Sequence, residues 1–112
     1  IKAEAEARGG QEDAARQTLL EWEVTRDPEY KLSQNSGQDL VEEIWTQRRI
    51  ELWGEGFRFT DLKRQNKELD RRDSNHNEAI CVTLYVPAGD PKWQFKIPKD
   101  EMNVNPLMVQ NE

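Results

Sequence analysis

Cysteine and histidine are nearly missing from this chain, and their scarcity removes most metal and nucleophile chemistry at the outset. Cys81 is the single cysteine, so no intrachain disulfide can form and no second thiolate is available for a metal. Its neighbours Ile80, Val82 and Leu84 suit a small apolar residue in a strand better than an activated thiol. His76, the only histidine, sits between Asn75 and Asn77 and reads as a hydrogen-bonding loop residue with neither zinc spacing nor a nucleophile to serve. No metal site, cofactor or catalytic residue is expected. Long apolar runs are missing too: nothing approaches the roughly 18 residues a membrane-spanning helix needs. Positive charge is outweighed, with 16 Lys and Arg against 22 Asp and Glu and a formal net charge of −6. That balance disfavours nucleic acid, whose binding depends on neutralising phosphates. The doublets Arg48-Arg49, Lys63-Arg64 and Arg71-Arg72 are interleaved with acids and read as solvated or ion-paired faces.

Apolar residues in general are sparse. Only 35% of the 112 residues are hydrophobic and 34% are charged, which leans toward disorder or toward an element completed by a partner. Four Trp and three Phe argue against disorder. A chain this long fits one domain at most and buries roughly two-thirds of its unfolded surface. The combination predicts a folded piece that shares its core with further chain.

The densest pattern runs from Leu40 to Arg64. Ser36 three residues before Asp39 supplies a helix start, with Ser36 as N-cap. At about 100° per residue, Leu40, Val41, Ile44, Trp45 and Leu52 share one face of a long central helix, and Gly54 and Gly56 end it. Arg48, Glu51 and Glu55 fall on the same apolar face. Charges taken out of water must be paired, so these groups and Arg58 are expected to form a structural ion network. Two carboxylates one turn apart also suit acid and base work on a glycoside, although pairing with an adjacent arginine is the simpler account.

The remaining elements follow in order. Residues 1–8 read as the end of a helix, broken by Gly9-Gly10; a second helix spans about 11–26, with Glu12 and Asp13 at its start and Asp27-Pro28 as its stop. Ala15, Leu19 and Trp22 share its face, and the pair makes a helical hairpin. Residues 57–64 suggest a short helical or irregular segment, and 65–78 a polar loop without period. A strand over 79–87, a turn at Ala88-Gly89-Asp90-Pro91 and a second strand over 93–97 predict a small β-hairpin. Pro98 stops it, 99–103 form one helical turn, and an extended tail begins at Asn105.

Three segments carry a family resemblance. Arg48-Arg49-Ile50-Glu51-Leu52-Trp53-Gly54-Glu55-Gly56-Phe57-Arg58-Phe59-Thr60-Asp61-Leu62-Lys63-Arg64 resembles the signature near the C-terminus of the SusD/RagB family. Trp93 through Glu101 is similar to that family's aromatic-Ile-Pro closing element, and Asn105-Pro106 through Gln110-Asn111 to its asparagine-rich terminus. The family comprises surface lipoproteins of Bacteroidetes that capture nutrients, usually glycans, for a TonB-dependent outer-membrane transporter. The resemblance spans residues 1–112 and implies the C-terminal portion of a SusD/RagB-like domain. Its fold would be mainly α: a tetratricopeptide-like helical hairpin and a long central helix, with the small β-hairpin and extended C-terminal tail.

By the same resemblance the protein is not an enzyme. Its partners are a SusC-like transporter, a glycan or peptide nutrient and the remainder of the same protein, and its place is the outer-membrane surface, lipid-anchored through an N-terminal part outside these residues. Arg49, Glu51, Glu55, Arg58, Asp61, Arg64 and Pro98 carry over as framework positions, while Gln47 stands where the motif leads one to expect an acid. Among the aromatics, Trp53 and Trp93 are the candidates for a sugar platform, with packing against further chain as the alternative for both. Two other readings stay open: a free-standing helical-repeat adaptor, and a glycosidase using Glu51 and Glu55.

Overall fold

Small side chains decide the first packing event. Ala3 and Ala15 are buried and let two short helices approach closely, α1 (Lys2–Arg8) and α2 (Glu12–Glu23), joined across Gly9 and Gly10. Gly10 has φ +76°, a left-handed conformation that favours glycine. Thr18 Oγ1 donates to Glu6 Oε2 at 2.7 Å between the two helices. This computed structural model describes residues 1–77 and 79–111. It divides into two compact units, Ile1–Gly56 and Phe57–Glu112.

In the first unit the central helix α3 (Gly37–Glu51) packs on the hairpin. Leu40 and Ile44 join Ala3, Ala15 and Leu19 in one core, with Ala7 and Tyr30 against it. Val41 and Trp45 are also buried, so the predicted apolar face is largely the observed one; Leu52 is half-buried. Ser36 occupies the N-cap with an extended backbone, but its hydroxyl makes no capping bond. The Gly37 N–H donates instead to Glu12 Oε1 at 2.8 Å, a carboxylate from the start of α2 that also takes Arg16 Nη2 at 3.0 Å. The connection between α2 and α3 is tied down by Glu43, which accepts hydrogen bonds from Tyr30 at 2.6 Å, Asn35 Nδ2 at 2.8 Å and the Ser33 hydroxyl.

The second unit holds α4 (Phe57–Arg64), β1 (Leu69–Asp70), β2 (Tyr85–Val86), a single 3-10 turn at Pro91–Trp93 and α5 (Lys99–Val104). The small antiparallel sheet exists, but its membership corrects the expectation. Of residues 79–87 only Tyr85–Val86 are strand, and they pair with β1 in the register Leu69↔Val86 and Asp70↔Tyr85, not with 93–97. The cause is local. Asp90 Oδ1 accepts from the Lys92 N–H at 2.8 Å and Pro91 sits at the first turn position, so 91–93 wind up and bury Trp93. Residues 94–97 then run without a strand partner.

Side chains of the tail replace that partner. The Ile97 N–H donates to Gln110 Oε1 at 2.9 Å and to Asn111 Oδ1 at 3.2 Å, while Gln110 Nε2 donates to Ile97 O at 3.0 Å and Asn111 Nδ2 to Phe95 O at 3.0 Å. A carboxamide carries the same donor and acceptor as a peptide, so two of them can satisfy backbone groups that a ladder would otherwise pair.

Candidate functional site

The spacing that puts Ile44, Arg48, Glu51 and Leu52 on one side of α3 turns them toward the α1–α2 hairpin. With Ala3, Thr18, Leu19, Trp22, Glu23 and Gln47 they line a groove of about 540 Å³ inside the first unit. Its floor is apolar and its rim is charged. Trp22, expected on a buried face, is 48% exposed because it forms part of this wall.

Electrostatics at the groove turn on a residue the sequence reading did not single out. Helix α2 ends at Glu23, three residues short of the expected stop, and the following turn brings Arg26 across to α3. Arg26 Nε and Nη2 donate to Glu51 Oε2 and Oε1 at 3.0 and 2.7 Å, a bidentate pair. The guanidinium also lies 4.7 Å from the centre of the Trp22 ring. The hydrogen bonds from Arg26 hold the Glu51 carboxyl below the usual range, so it stays ionised and is poorly suited to donate a proton as a general acid. Glu51 therefore finds an arginine, but from the turn that follows α2. Arg48 is half-buried and lines the groove, whereas Arg49, Glu55 and Arg58 are exposed, so burial does not oblige Glu55 and Arg58 to pair. Only the position of Arg26 at a helix end hinted at its role, and a partner 25 residues distant leaves no periodic mark.

Glu23 is the groove's buried acid, 7% exposed. Burial, and next the nearby Glu51 charge, push its carboxyl above the usual range, with Arg26 opposing them.

The two aromatic candidates occupy opposite environments. Trp53 is 85% exposed, just past the end of α3. Trp93 is buried: its Nε1 donates to Pro87 O at 2.6 Å and its ring centre lies 5.5 Å from that of Phe59, which in turn lies 5.3 Å from Phe95. Packing within the second unit thus accounts for Trp93, although its edge lines a small cavity of about 220 Å³ with Asn66, Asp90 and Gln94. Of the framework positions there, Asp61 is buried and takes Arg64 Nη2 at 3.3 Å, and Pro98 leads into α5. His76 Nδ1 meets the Ser74 hydroxyl at 2.8 Å in an exposed turn. Among the described residues no group of three or more His, Cys, Asp or Glu could hold a metal ion, and no helix is long and apolar enough to cross a membrane.

No curated protein and no solved structure matches the chain. The family model of the SusD family does, over residues 1–112, in agreement with the three segments that resemble it, and the chain belongs to that family.

Proposed function

We propose that this chain serves the capture of an oligosaccharide or peptide nutrient at the outer membrane and its hand-over to a SusC-like TonB-dependent transporter. Family membership implies glycan or nutrient binding at the cell surface, by binding proteins rather than enzymes. In this reading residues 1–112 are the C-terminal portion of a SusD/RagB-like domain. They supply scaffold to a binding surface shared with the remainder of a surface-exposed, lipid-anchored protein. The observation that carries the reading is the family match along the whole chain, and the exposed Trp53 is the one candidate whose ring is available to a sugar face.

The test is retention of the intact protein on immobilised glycans and peptides, together with co-purification of a SusC-like transporter. Retention and co-purification are expected, with no glycan hydrolysis. A protein that retains neither ligand and brings down no transporter would turn attention to the adaptor reading. Hydrolysis abolished by Glu51→Gln would favour the glycosidase.

A further inference from the structure

The end of α4 builds one wall of the small cavity in the second unit. The Asn66 N–H donates to Lys63 O at 3.1 Å and the Lys67 N–H to Leu62 O at 2.9 Å, the pair of bonds that closes a helix on a left-handed residue. That residue is Asn66, with φ +50°, at a position where glycine is the usual occupant and asparagine the next. Asparagine keeps a carboxamide there. Facing it is Gly89, whose φ of +72° and missing side chain leave Asn66 Oδ1 3.8 Å from where a Cβ would stand. Asp90, the buried Trp93 and Gln94 follow in the chain, and with Lys63 and Lys67 they border a space of about 220 Å³.

The polar groups around this space are mixed in kind and little used by the protein. Among the described residues the Asn66 carboxamide and the Lys63 ammonium make no hydrogen bond and no ion pair. Asp90 uses Oδ1 for the Lys92 N–H, and Gln94 uses Oε1 for Asn111 Nδ2. That leaves Asp90 Oδ2 as an acceptor, Lys63 and Gln94 Nε2 as donors, and Asn66 as both. Trp93 gives its Nε1 to Pro87 O, so its edge is an apolar wall and nothing more. Cations and a carboxylate border the space together, which favours neither an acid nor a base. Separate donors and acceptors beside an apolar wall match a ring whose rim carries hydroxyls, since each hydroxyl both donates and accepts. The volume lies below the roughly 300 Å³ at which sites for drug-sized ligands begin, so it suits one such ring. We propose that the cavity seats a single neutral hexose unit of a glycan, its hydroxyls bonded by Asn66, Gln94, Lys63 and Asp90. This rests on the nutrient-capture reading and deepens it by naming a subsite and the class of sugar it takes.

The isotope-labelled 112-residue chain is titrated with the methyl glycosides of glucose, galactose and mannose, with glucuronate as an acidic sugar and with cyclohexanol as a ring lacking the hydroxyl rim. Amide shifts at Asn66, Lys67, Gly89 and Gln94 and the derived Kd values are the readout. At least one hexoside is expected to saturate these shifts and to bind about tenfold tighter than cyclohexanol and no weaker than glucuronate. Asn66→Gly, which suits the left-handed backbone and removes the carboxamide, should weaken that hexoside about fivefold. Three results would overturn the proposal: no hexoside moving these amides, glucuronate or cyclohexanol binding tighter than every hexoside, or hexoside binding unchanged by Asn66→Gly. The ligand comparison uses the unmutated chain and holds even where the variant proves poorly folded. Glycan retention by the intact protein with silence at these amides sinks the subsite and leaves nutrient capture standing. Hexoside shifts here in a protein that brings down no transporter support the subsite and count against hand-over alone.

Discussion

The two units of the chain reach order by different means. The first, Ile1–Gly56, is three helices around a shared core of Ala3, Ala15, Leu19, Leu40 and Ile44, and its backbone groups are satisfied mostly by helical bonds. The second, Phe57–Glu112, has two helices and a sheet of two residues per strand. Its buried apolar residues are Leu62, Val86 and Trp93, and Ile80, Val82, Phe95, Val104, Leu107 and Val109 are all more than three-quarters exposed. There, side chains substitute for secondary structure: Asp90 caps a turn, Trp93 bonds Pro87, and Gln110 and Asn111 pair with 95–97. A scarcity of apolar residues can be met either by concentrating them or by spending polar side chains on the backbone, and this chain does both.

Experiments can sharpen or break that contrast. The largest effect is expected from Trp93→Ala, which removes the ring packed on Phe59 and should cost about 3–5 kcal/mol by chemical denaturation. Leu40→Ala, at a position with no exposed surface, should cost about 2–5 kcal/mol and reduce helical circular dichroism; equal insensitivity at both sites would erase the distinction between the cores. Replacing Gln110 and Asn111 together with Ala should cost roughly 2 kcal/mol at about 0.5 kcal/mol for each of four bonds, and should accelerate hydrogen exchange at the Ile97 amide. Unchanged exchange there would mean that the amides do not stand in for a ladder.

Acid titration distinguishes two carboxylates of the first unit. Burial alone would raise Glu43, but hydrogen bonds from Ser33, Tyr30 and Asn35 hold it below its ordinary 4.5. Its contribution is therefore present above pH 4.5 and is lost as pH falls through the lower folded-state value. Glu43→Gln should be less stable than the parent at neutral pH, with the gap closing in acid. Glu23 has the opposite sign, raised above 4.5 when folded, so its penalty is present at neutral pH and gone below 4.5. Glu23→Gln should stabilise at neutral pH and converge with the parent in acid. The smallest effect is expected at Trp53: its replacement by Ala should leave stability within about 0.5 kcal/mol, since the side chain is 85% exposed.

What could be read from the sequence follows the same division. The hairpin and α3 were legible because their periods, glycines and apolar faces are local signals, and Leu40, Val41, Ile44 and Trp45 are buried as their spacing predicts. Ser36 marks the start of α3, yet the bond to Gly37 comes from Glu12, and Glu51 is met by Arg26; each partner lies 25 residues away. Strand β1 is two residues long and offers no period at all. The alternation Trp93, Phe95, Ile97 looks like a strand, but the Asp90-Pro91 start turned Trp93 inward while leaving Phe95 82% exposed.

The two carboxamides near the C-terminus have a consequence for solubility. The stretch from Phe95 to Ile97 is partly apolar and lies outside any helix or strand, so its peptide groups would otherwise be open to an incoming strand. By occupying the Ile97 N–H and the Ile97 and Phe95 carbonyls, Gln110 and Asn111 leave an incoming strand fewer groups to bond.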